Sequence, residues 1–241
     1  ISICIGESAD LNATGGGSYI WDEDPTLSAL LIPDPVATPL GDTEYKVTGV
    51  DDNGCENRDS LFVFTFDLPD VSVGGDETVC IGDSVNLMAT GATTYLWDSE
   101  PTLSALDIPD PWAMPTVLTE YKVTGTDDNG CMNRDSLFVS TLAVPDIDAG
   151  EDDAVCIGGT VSLFATGGLA DMYVWNDDPT LSELDVFHPD ATPTETTEYI
   201  VTGTDINGCS NIDTVMVEVY DLPIINAGLD DDICIGDSTH L

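Results

Sequence analysis

The sequence predicts an all-β protein in which one small β-sandwich is repeated in tandem. A string of the form Cys-Ile-Gly-(Glu/Asp/Gly)-(Ser/Thr) occurs four times, and its copies begin at Cys4, Cys80, Cys156 and Cys234. Successive copies are 76, 76 and 78 residues apart, and a fixed period of this length indicates a repeat array. Within each period, short segments of alternating apolar and polar residues are separated by Gly, Pro and Asn-Gly, as expected for short strands and tight turns.

The period divides the chain into three repeats and the start of a fourth. We place repeat 1 at residues 1–69, repeat 2 at 70–145, repeat 3 at 146–223 and the start of repeat 4 at 224–241. Repeat 1 begins near its opening cysteine and therefore lacks the first strand of the pattern. Because the chain starts at one opening cysteine and stops shortly after another, we expect it to be a window from a longer polypeptide.

Repeat 2 shows the order of the strands. From the alternation of apolar and polar residues, strands A, B, C, F and G are predicted at 70–79, 85–89, 95–97, 120–125 and 137–142. Between C and F, the prolines Pro109, Pro111 and Pro115 exclude a central strand, so this stretch is an edge strand or a loop. The Asn129-Gly130 pair favours a tight hairpin between F and G.

The aromatic residues predict the type of sandwich. A tryptophan follows the opening cysteine by 17, 17 and 19 residues in the three repeats, at Trp21, Trp97 and Trp175. About seven short strands, with a core tryptophan on strand C and a tyrosine on strand F, are typical of an immunoglobulin-like (Ig-like) β-sandwich. Trp112 has no aromatic counterpart in the other repeats, so we expect it to be exposed and available for a contact.

The charge of the chain excludes several classes of partner. Four Lys and Arg residues stand against 46 Asp and Glu residues, which gives a net charge of −42. Nucleic acids and anionic membrane surfaces bind positively charged proteins, so we expect neither as a partner. No apolar run reaches membrane-spanning length, so we expect no membrane insertion in this window. Neighbouring repeats of such a chain repel each other.

The chain offers little for catalysis. Its two histidines, His188 and His240, do not recur at the same place in another repeat. No nucleophile and base recur together, and no glycine-rich phosphate loop precedes a helix pattern. We therefore expect no enzymatic activity.

Two acidic strings are candidates for a weak calcium site, and calcium is the one cofactor that the sequence suggests. One string lies in the predicted F–G turn, and the other lies beside the last repeat junction. The candidate ligands are Asp127, Asp128, Asn129, Asp230, Asp231 and Asp232. Calcium binds six to eight oxygen atoms, more than either string supplies alone, and turn chemistry explains Asp-Asn-Gly equally well.

The seven cysteines indicate disulfides and an oxidising compartment, because they recur at regular places in small repeats. The candidates are Cys4, Cys55, Cys80, Cys131, Cys156, Cys209 and Cys234. Pairing within repeats would give Cys4–Cys55, Cys80–Cys131 and Cys156–Cys209. In the predicted topology, however, a strand of about 7 residues separates the two cysteines of a repeat by roughly 23 Å, whereas disulfide Cα atoms lie about 5.5 Å apart. Pairing between neighbouring repeats, Cys4–Cys131 and Cys80–Cys209, avoids that conflict, and both pairings stay open.

The repeat as a whole resembles a known family. Its pattern runs Asp-x-x-x-Cys-Ile-Gly-Asp-Ser-Val-x-Leu-x-Ala-Thr-Gly, then Tyr-x-Trp, Leu-Ser, Ala-x-Pro and Tyr-x-Val-Thr-Gly-x-Asp-x-Asn-Gly-Cys. This is similar to the cysteine-containing PKD-like repeats of very large secreted adhesins of gliding bacteria, and the resemblance covers all three repeats. It implies tandem Ig-like/PKD-like β-sandwiches in an extracellular protein of the bacterial cell surface.

The resemblance also implies a modification. In such bacteria, Asp-(Ser/Thr)-apolar is an acceptor pattern for O-glycosylation. The chain carries it at the same place in each repeat, with Ser60, Ser136 and Thr214 as the candidate acceptors. The alternative is that the short polar residue simply opens strand G.

We therefore expect a structural stalk or extracellular filament segment that supports adhesion, with neighbouring repeats or subunits of the same protein as partners. One alternative is a ligand-binding adhesin module, which grips a glycan or another surface ligand through its loop tips. Another is an accessory domain of a secreted enzyme. The segment 224–235 repeats the strand A that repeat 1 lacks. It could complete the next repeat of a continuous chain, or a separate subunit by strand addition.

Overall fold

The computed structural model describes residues 1–168, 170–228, 232, 234 and 235. Two compact units are present, Ile1–Thr141 and Leu142–Leu241. The strands of repeat 1 are β1 Ser2–Cys4, β2 Ala9–Asp10, β3 Ser18–Trp21, β4 Val36–Ala37, β5 Thr43–Val50 and β6 Glu56–Phe66. Those of repeat 2 are β7 Glu77–Cys80, β8 Val85–Asn86, β9 Thr94–Trp97, β10 Trp112–Ala113, β11 Thr119–Thr126 and β12 Met132–Leu142. Those of repeat 3 are β13 Asp146–Asp148, β14 Asp153–Cys156, β15 Val161–Ser162, β16 Thr166–Gly168, β17 Ala170–Trp175, β18 Asp190–Ala191, β19 Thr197–Asp205 and β20 Ser210–Tyr220.

Each repeat contains one four-stranded sheet and one small two-stranded sheet. In repeat 1 the strand orders are β1-β6-β5-β3 and β2-β4, in repeat 2 β7-β12-β11-β9 and β8-β10, and in repeat 3 β14-β20-β19-β17 and β15-β18. Repeat 3 has one further pair, β13-β16. β1 runs parallel to β6, whereas β5 is antiparallel to both of its neighbours. Over the described residues the chain contains no helix, and hence none with the length and apolar character needed to cross a bilayer.

The two sheets of a repeat enclose a hydrophobic core. In β11, Tyr121 and Val123 face inward and are buried, and the alternate residues Glu120 and Lys122 are exposed. Leu87, which follows β8, reaches the same core from the other sheet. Repeats 1 and 3 have cores of their own. The predicted fold class is confirmed: the chain is all-β and consists of tandem Ig-like β-sandwiches.

The core tryptophan and tyrosine also order the connection between strands C and F. The Trp97 indole nitrogen donates to the Ile108 carbonyl at 2.9 Å, and the Tyr121 and Thr102 hydroxyls lie 2.6 Å apart. Repeats 1 and 3 make the same two contacts at the same distances. The proline-rich connection is therefore fastened to the core at two points in every repeat.

Strand A differs from the prediction of one continuous strand at 70–79. Ser72 forms an isolated antiparallel bridge with Thr90, on the side of the two-stranded sheet. The chain then crosses to the other sheet, where β7 lies beside β12. Gly74 lies between the two halves with φ +82°, a conformation that non-glycine residues rarely adopt. This glycine turn ends the first half of the strand.

Strand B is shorter than the predicted 85–89. Only Val85–Asn86 is a regular strand, although the N–H groups of Leu87 and Ala89 donate to the carbonyls of Pro111 and Pro109 at 2.9 and 2.8 Å. Proline has no N–H, so these two partners cannot donate in return and the pairing stays one-sided. The proline-rich stretch forms the edge strand β10 at Trp112–Ala113, one of the two forms expected for it.

Repeat 2 offers a matched test of this core. Trp97→Ala removes a buried side chain and should lower the free energy of unfolding of the repeat by about 3–5 kcal/mol. Trp112 is 53% exposed, and Trp112→Ala should change it by no more than about 0.5 kcal/mol. Urea unfolding followed by circular dichroism would measure both. Equal losses for the two variants would contradict the assigned core.

Candidate functional site: a disulfide-bonded repeat junction

A disulfide joins repeat 1 to repeat 2. Cys4, the last residue of β1, is bonded to Cys131, which lies immediately before β12, and their Cα atoms are 5.5 Å apart. Both cysteines are buried. Of the two pairings left open by the sequence, this one connects consecutive repeats.

The register of β1 explains why Cys4 does not pair within its own repeat. Cys4 lies level with Phe66, the last residue of β6, whereas Cys55 comes just before the first residue of that strand. Eleven strand residues therefore separate the two cysteines, which corresponds to about 36 Å. Cys55 is an exposed free thiol.

The remaining cysteines fall into two groups. Cys80 and Cys209 are disulfide-bonded, and the pairing of Cys80 with Cys209 stays a prediction. Cys156 and Cys234 are exposed free thiols. Cys156 lies level with Tyr220 at the far end of β20, as Cys4 does with Phe66 on β6, so the two repeats place their opening cysteine alike.

The F–G turn that carries Cys131 is held by an aspartate. One oxygen of Asp127 accepts the backbone N–H groups of Asn129 and Cys131, at 2.9 and 2.8 Å. Gly130 closes the turn with φ +85°, and its N–H donates to the Asp127 carbonyl. The same hydrogen bonds recur at Asp51 and Asp205 in the other repeats. Because the turn has the same spacing and hydrogen bonds in all three repeats, it places a cysteine at the same position at the end of each sandwich.

These hydrogen bonds shift the acidity of the turn aspartates. The N–H groups of Cys55 and Asn53 hold the pKa of Asp51 below its ordinary value. Burial acts to raise the pKa of Asp205, but the hydrogen bonds from Cys209 and Asn207 outweigh it, and the pKa is lowered. Both turns therefore favour the charged carboxylate.

The calcium candidates are only partly placed by the structure. The carboxylate oxygens of Asp127 accept hydrogen bonds from Asn129 and Cys131 within the turn. Asp128 accepts a hydrogen bond from the Thr93 hydroxyl at 2.8 Å. Asp232 is exposed, and Asp230 and Asp231 lie outside the described residues. Within the described part of the chain, no group of three or more His, Cys, Asp or Glu side chains is arranged to hold a metal ion. Calcium binding stays a prediction.

The candidate glycosylation residues lie on the solvent face of strand G. Ser60, Ser136 and Thr214 are exposed, and the Ser60 hydroxyl donates to Glu44 at 2.9 Å. The preceding aspartate has a structural use that the sequence did not indicate. Asp135 accepts the Val73 N–H at 3.0 Å, and so fastens strand A to strand G. Glycosylation of the three hydroxyls stays a prediction.

The four basic residues, Lys46, Arg58, Lys122 and Arg134, each pair with a nearby carboxylate. Lys46 lies 2.9 Å from Glu44, and Lys122 lies 2.9 Å from Glu120. Arg58 and Arg134 pair with Asp22 and Asp98, respectively. All four pairs are solvent-exposed and contribute little to stability. No catalytic arrangement involves His188, whose ring stacks on Phe187 with a 4.2 Å centroid distance, and His240 lies outside the described residues.

Comparisons with known proteins give similar structures but no family. No protein-family model and no curated protein matches the sequence. Similar solved structures include the I67–I69 fragment of the titin I-band, with 10% identity, a TM-score of 0.36, and coverage of 91% of this chain and 95% of that one. The eight N-terminal Ig domains of DSCAM have 14% identity, a TM-score of 0.34, and coverage of 92% and 39%. The insect immune protein hemolin has 13% identity, a TM-score of 0.31, and coverage of 91% and 73%. The fold assigned above rests on the strand pairing and cores of this chain.

The lowered pKa values predict acid sensitivity of the turns. A carboxyl with a lowered pKa stabilises the folded form above its ordinary pKa of 3.8, and that stability is lost as the pH falls below 3.8 through the folded-state value. Asp205→Asn should therefore lower the melting temperature at neutral pH, and its difference from the unmodified chain should shrink in acid. Asp221→Asn, at an exposed aspartate that makes no hydrogen bond in the described structure, is the control. A difference for Asp205→Asn that is independent of pH would contradict this role of the carboxylate.

Proposed function

We propose that this chain is a non-catalytic segment of an extracellular stalk or filament that supports adhesion at a bacterial cell surface. The Cys4–Cys131 disulfide carries the proposal, because it joins two consecutive repeats at a second point besides the backbone. Disulfides persist in extracellular compartments, which supports the location. The resemblance to PKD-like repeats of gliding-bacterium adhesins supports the bacterial surface.

The backbone link and the disulfide meet at the same corner of repeat 2. β6 ends at Phe66, and the carbonyl of Pro69 in the following link accepts a hydrogen bond from the Asn133 side chain at 3.0 Å. Asn133 is two residues beyond Cys131. Two covalent connections and one hydrogen bond at this corner oppose bending and twisting between repeats 1 and 2.

A second covalent connection also opposes the electrostatic repulsion between the repeats. With a net charge of −42, successive repeats repel each other, and salt at about 0.15 M screens this repulsion only beyond roughly 8 Å. A covalent bond across the junction keeps the repeats in contact at any ionic strength. Stiffness and spacing, rather than a reactive centre, are the properties that the junction provides.

The disulfide also limits how far the stalk can be stretched. It closes a loop of 127 residues, which would span about 420–460 Å if it were unfolded and extended. While the bond is intact, tension passes through it, so unfolding of the residues inside the loop adds no length. We propose that Cys80 and Cys209 form the equivalent junction of the next two repeats.

A ligand-binding adhesin module is the second candidate, and one observation favours it. Trp112 and Met114 are both more than half exposed on or beside the edge strand β10. Exposed tryptophan is common at binding hot spots. Loss of cell or glycan binding in Trp112→Ala, with the fold unchanged, would favour this function over a purely structural one.

Single-molecule stretching tests the structural function directly. The chain is pulled by its termini with Cys80→Ser and Cys209→Ser in place, so that Cys4–Cys131 is the one junction under test. Adding Cys4→Ser and Cys131→Ser should increase the fully unfolded length by about 420–460 Å, because 127 residues are released. Cys55→Ser, at a free thiol, is the control and should leave the length unchanged. Equal lengths with and without Cys4 and Cys131 would contradict the stapled stalk.

A further inference from the structure

One surface of each repeat differs from the rest of the chain in its charge. In repeat 2 it consists of the alternate residues that point away from the core within 94–98, 120–126 and 132–142. We call this surface, and its equivalents in repeats 1 and 3, the outer sheet face, because it is the solvent side of the four-stranded sheet. The basic residues of the chain all lie on this face, and they are Lys46, Arg58, Lys122 and Arg134.

In repeat 2 the outer sheet face is neutral. Lys122 lies 2.9 Å from Glu120, and Arg134 pairs with Asp98 across β11. These four charges cancel, and the other outward residues of this face are uncharged. Since the whole chain carries a net charge of −42, its excess of acids lies on other surfaces. Two copies of the chain therefore repel each other least where two such faces meet.

Repeat 3 has a nearly neutral face for a different reason. Uncharged residues stand at three of the four charged positions, where Asn176, Ile200 and Ile212 replace Asp98, Lys122 and Arg134. Both partners of the Arg–Asp pair are thus replaced together, and the charges that remain on β19 and β20 of this face are Glu198 and Glu218. Repeat 1 keeps all four charges and adds one acid, Glu56. The face is therefore close to neutral in every repeat.

Exposed apolar side chains recur on the same face. Single exposed apolar residues are normal on a protein surface, but here one position on strand C and one on strand G are apolar and exposed in all three repeats. The residues are Ile20 and Phe62 in repeat 1, Leu96 and Phe138 in repeat 2, and Val174 and Met216 in repeat 3. In repeat 2, Leu96 is 59% exposed and Phe138 is 43% exposed. Each face thus combines apolar area with little net charge, as a docking surface requires.

We propose that the outer sheet face binds the same face of a second copy of this chain, so that two stalks associate side by side. The face carries acids and bases side by side in equal number in repeat 2. When one copy is turned about a two-fold axis, Glu120 and Asp98 of each copy can approach Lys122 and Arg134 of the other. The exposed leucine and phenylalanine side chains are covered by the same contact.

The charge distribution favours a second copy over a partner of another kind. A basic partner would bind the acidic surfaces that make up the rest of the chain, rather than the one face on which all the basic residues lie. A strongly acidic partner with no neutral face of its own would be repelled by the chain as a whole. A second copy meets both conditions, because it offers a neutral face with the same paired charges.

The size of the face indicates that more than one repeat takes part. Four strands about 4.8 Å apart and eight residues long cover about 20 by 26 Å, or roughly 500 Å². A stable protein interface buries about 800 Å² on each partner, so the face of one repeat is too small alone. We therefore expect weak contacts that are repeated along the stalk and add together.

This inference rests on the proposed stalk and names its partner, and sedimentation of the 241-residue chain tests it separately. The chain should form dimers in analytical ultracentrifugation, and more of them at about 0.5 M salt than at about 0.05 M, because salt screens the long-range repulsion. Intact mass should show that Ser60, Ser136 and Thr214 are unmodified, since a sugar on any of them would cover the face.

Two sets of substitutions that add the same charge separate this face from the rest of the surface. In the face variant, glutamate replaces Leu96, Phe138, Val174 and Met216. In the control variant, glutamate replaces four exposed apolar residues outside the face, namely Met88, Val117, Phe164 and Phe187. The face variant should dimerise at least about 100-fold more weakly, because like charges then meet in the contact. The control variant should dimerise within about threefold of the unmodified chain at high salt, where its added charge is screened. Circular dichroism verifies that both variants keep the fold.

A charge exchange gives the sharpest result. An acidic-face variant has glutamate at Lys46, Arg58, Lys122 and Arg134, and a basic-face variant has lysine at Asp22, Glu44, Asp98 and Glu120. Both should stay folded, because exposed ion pairs contribute little to stability. Each alone should be monomeric, whereas a mixture of the two should form a heterodimer, since unlike charges then meet.

Three results would overturn the side-by-side contact. They are a monomeric unmodified chain at high salt, equal weakening of the face and control variants, and a mixture of the exchanged variants that does not associate. None of them bears on the stalk itself, which is tested by stretching. A monomer whose extension is still limited by the Cys4–Cys131 disulfide would overturn the docking alone and leave the stalk function standing.

Discussion

The parallel pairing of β1 with β6 is the constraint on which the junction depends. Three residue pairs bring Cys4 level with Phe66, at the end of the sandwich from which the chain leaves for repeat 2. The cysteine of the F–G turn lies at the opposite end of the sandwich, so repeat 1 presents Cys4 to repeat 2 and holds Cys55 at its other end. If β1 and β6 were antiparallel, Cys4 would lie beside Cys55, and the disulfide would close within the repeat. Whether this strand pair is parallel or antiparallel therefore decides whether the disulfide stabilises a single domain or connects two domains.

The second recurring device is the fastening of strand A by side chains of strand G. Asn133 and Asp135 bind the backbone of residues 69–73, and Asn211 and Asp213 do the same for residues 145–149. Because the aspartate is the first residue of the Asp-(Ser/Thr)-apolar pattern, that pattern has a structural cause whether or not the hydroxyl is modified. The same two side chains lie next to the disulfide corner, so docking of strand A and closure of the junction occur at one place.

Much of the fold could be predicted from residue patterns, and the exceptions have physical reasons. Three patterns were sufficient to predict an Ig-like sandwich. They are the alternation of apolar and polar residues in β11 and β12, the period of the opening cysteines and the strand-C tryptophan. The split of strand A at Gly74 was missed because a glycine kink and a change of sheet look alike in sequence. Strand B was predicted too long because its partners Pro109 and Pro111 lie about twenty residues further along the chain. The roles of Asn133 and Asp135 depend on contacts with residues more than sixty positions away, and no local pattern indicates them.

Peptide mapping of the native protein under non-reducing conditions tests the central claim most directly, namely that the disulfide joins neighbouring repeats. Proteolysis with thiols blocked, followed by mass spectrometry, should yield the peptide of Cys4 linked to the peptide of Cys131, with Cys55 recovered as a blocked thiol. Recovery of Cys4 linked to Cys55 would contradict the account, because that bond cannot form while β1 lies parallel to β6 in the observed register.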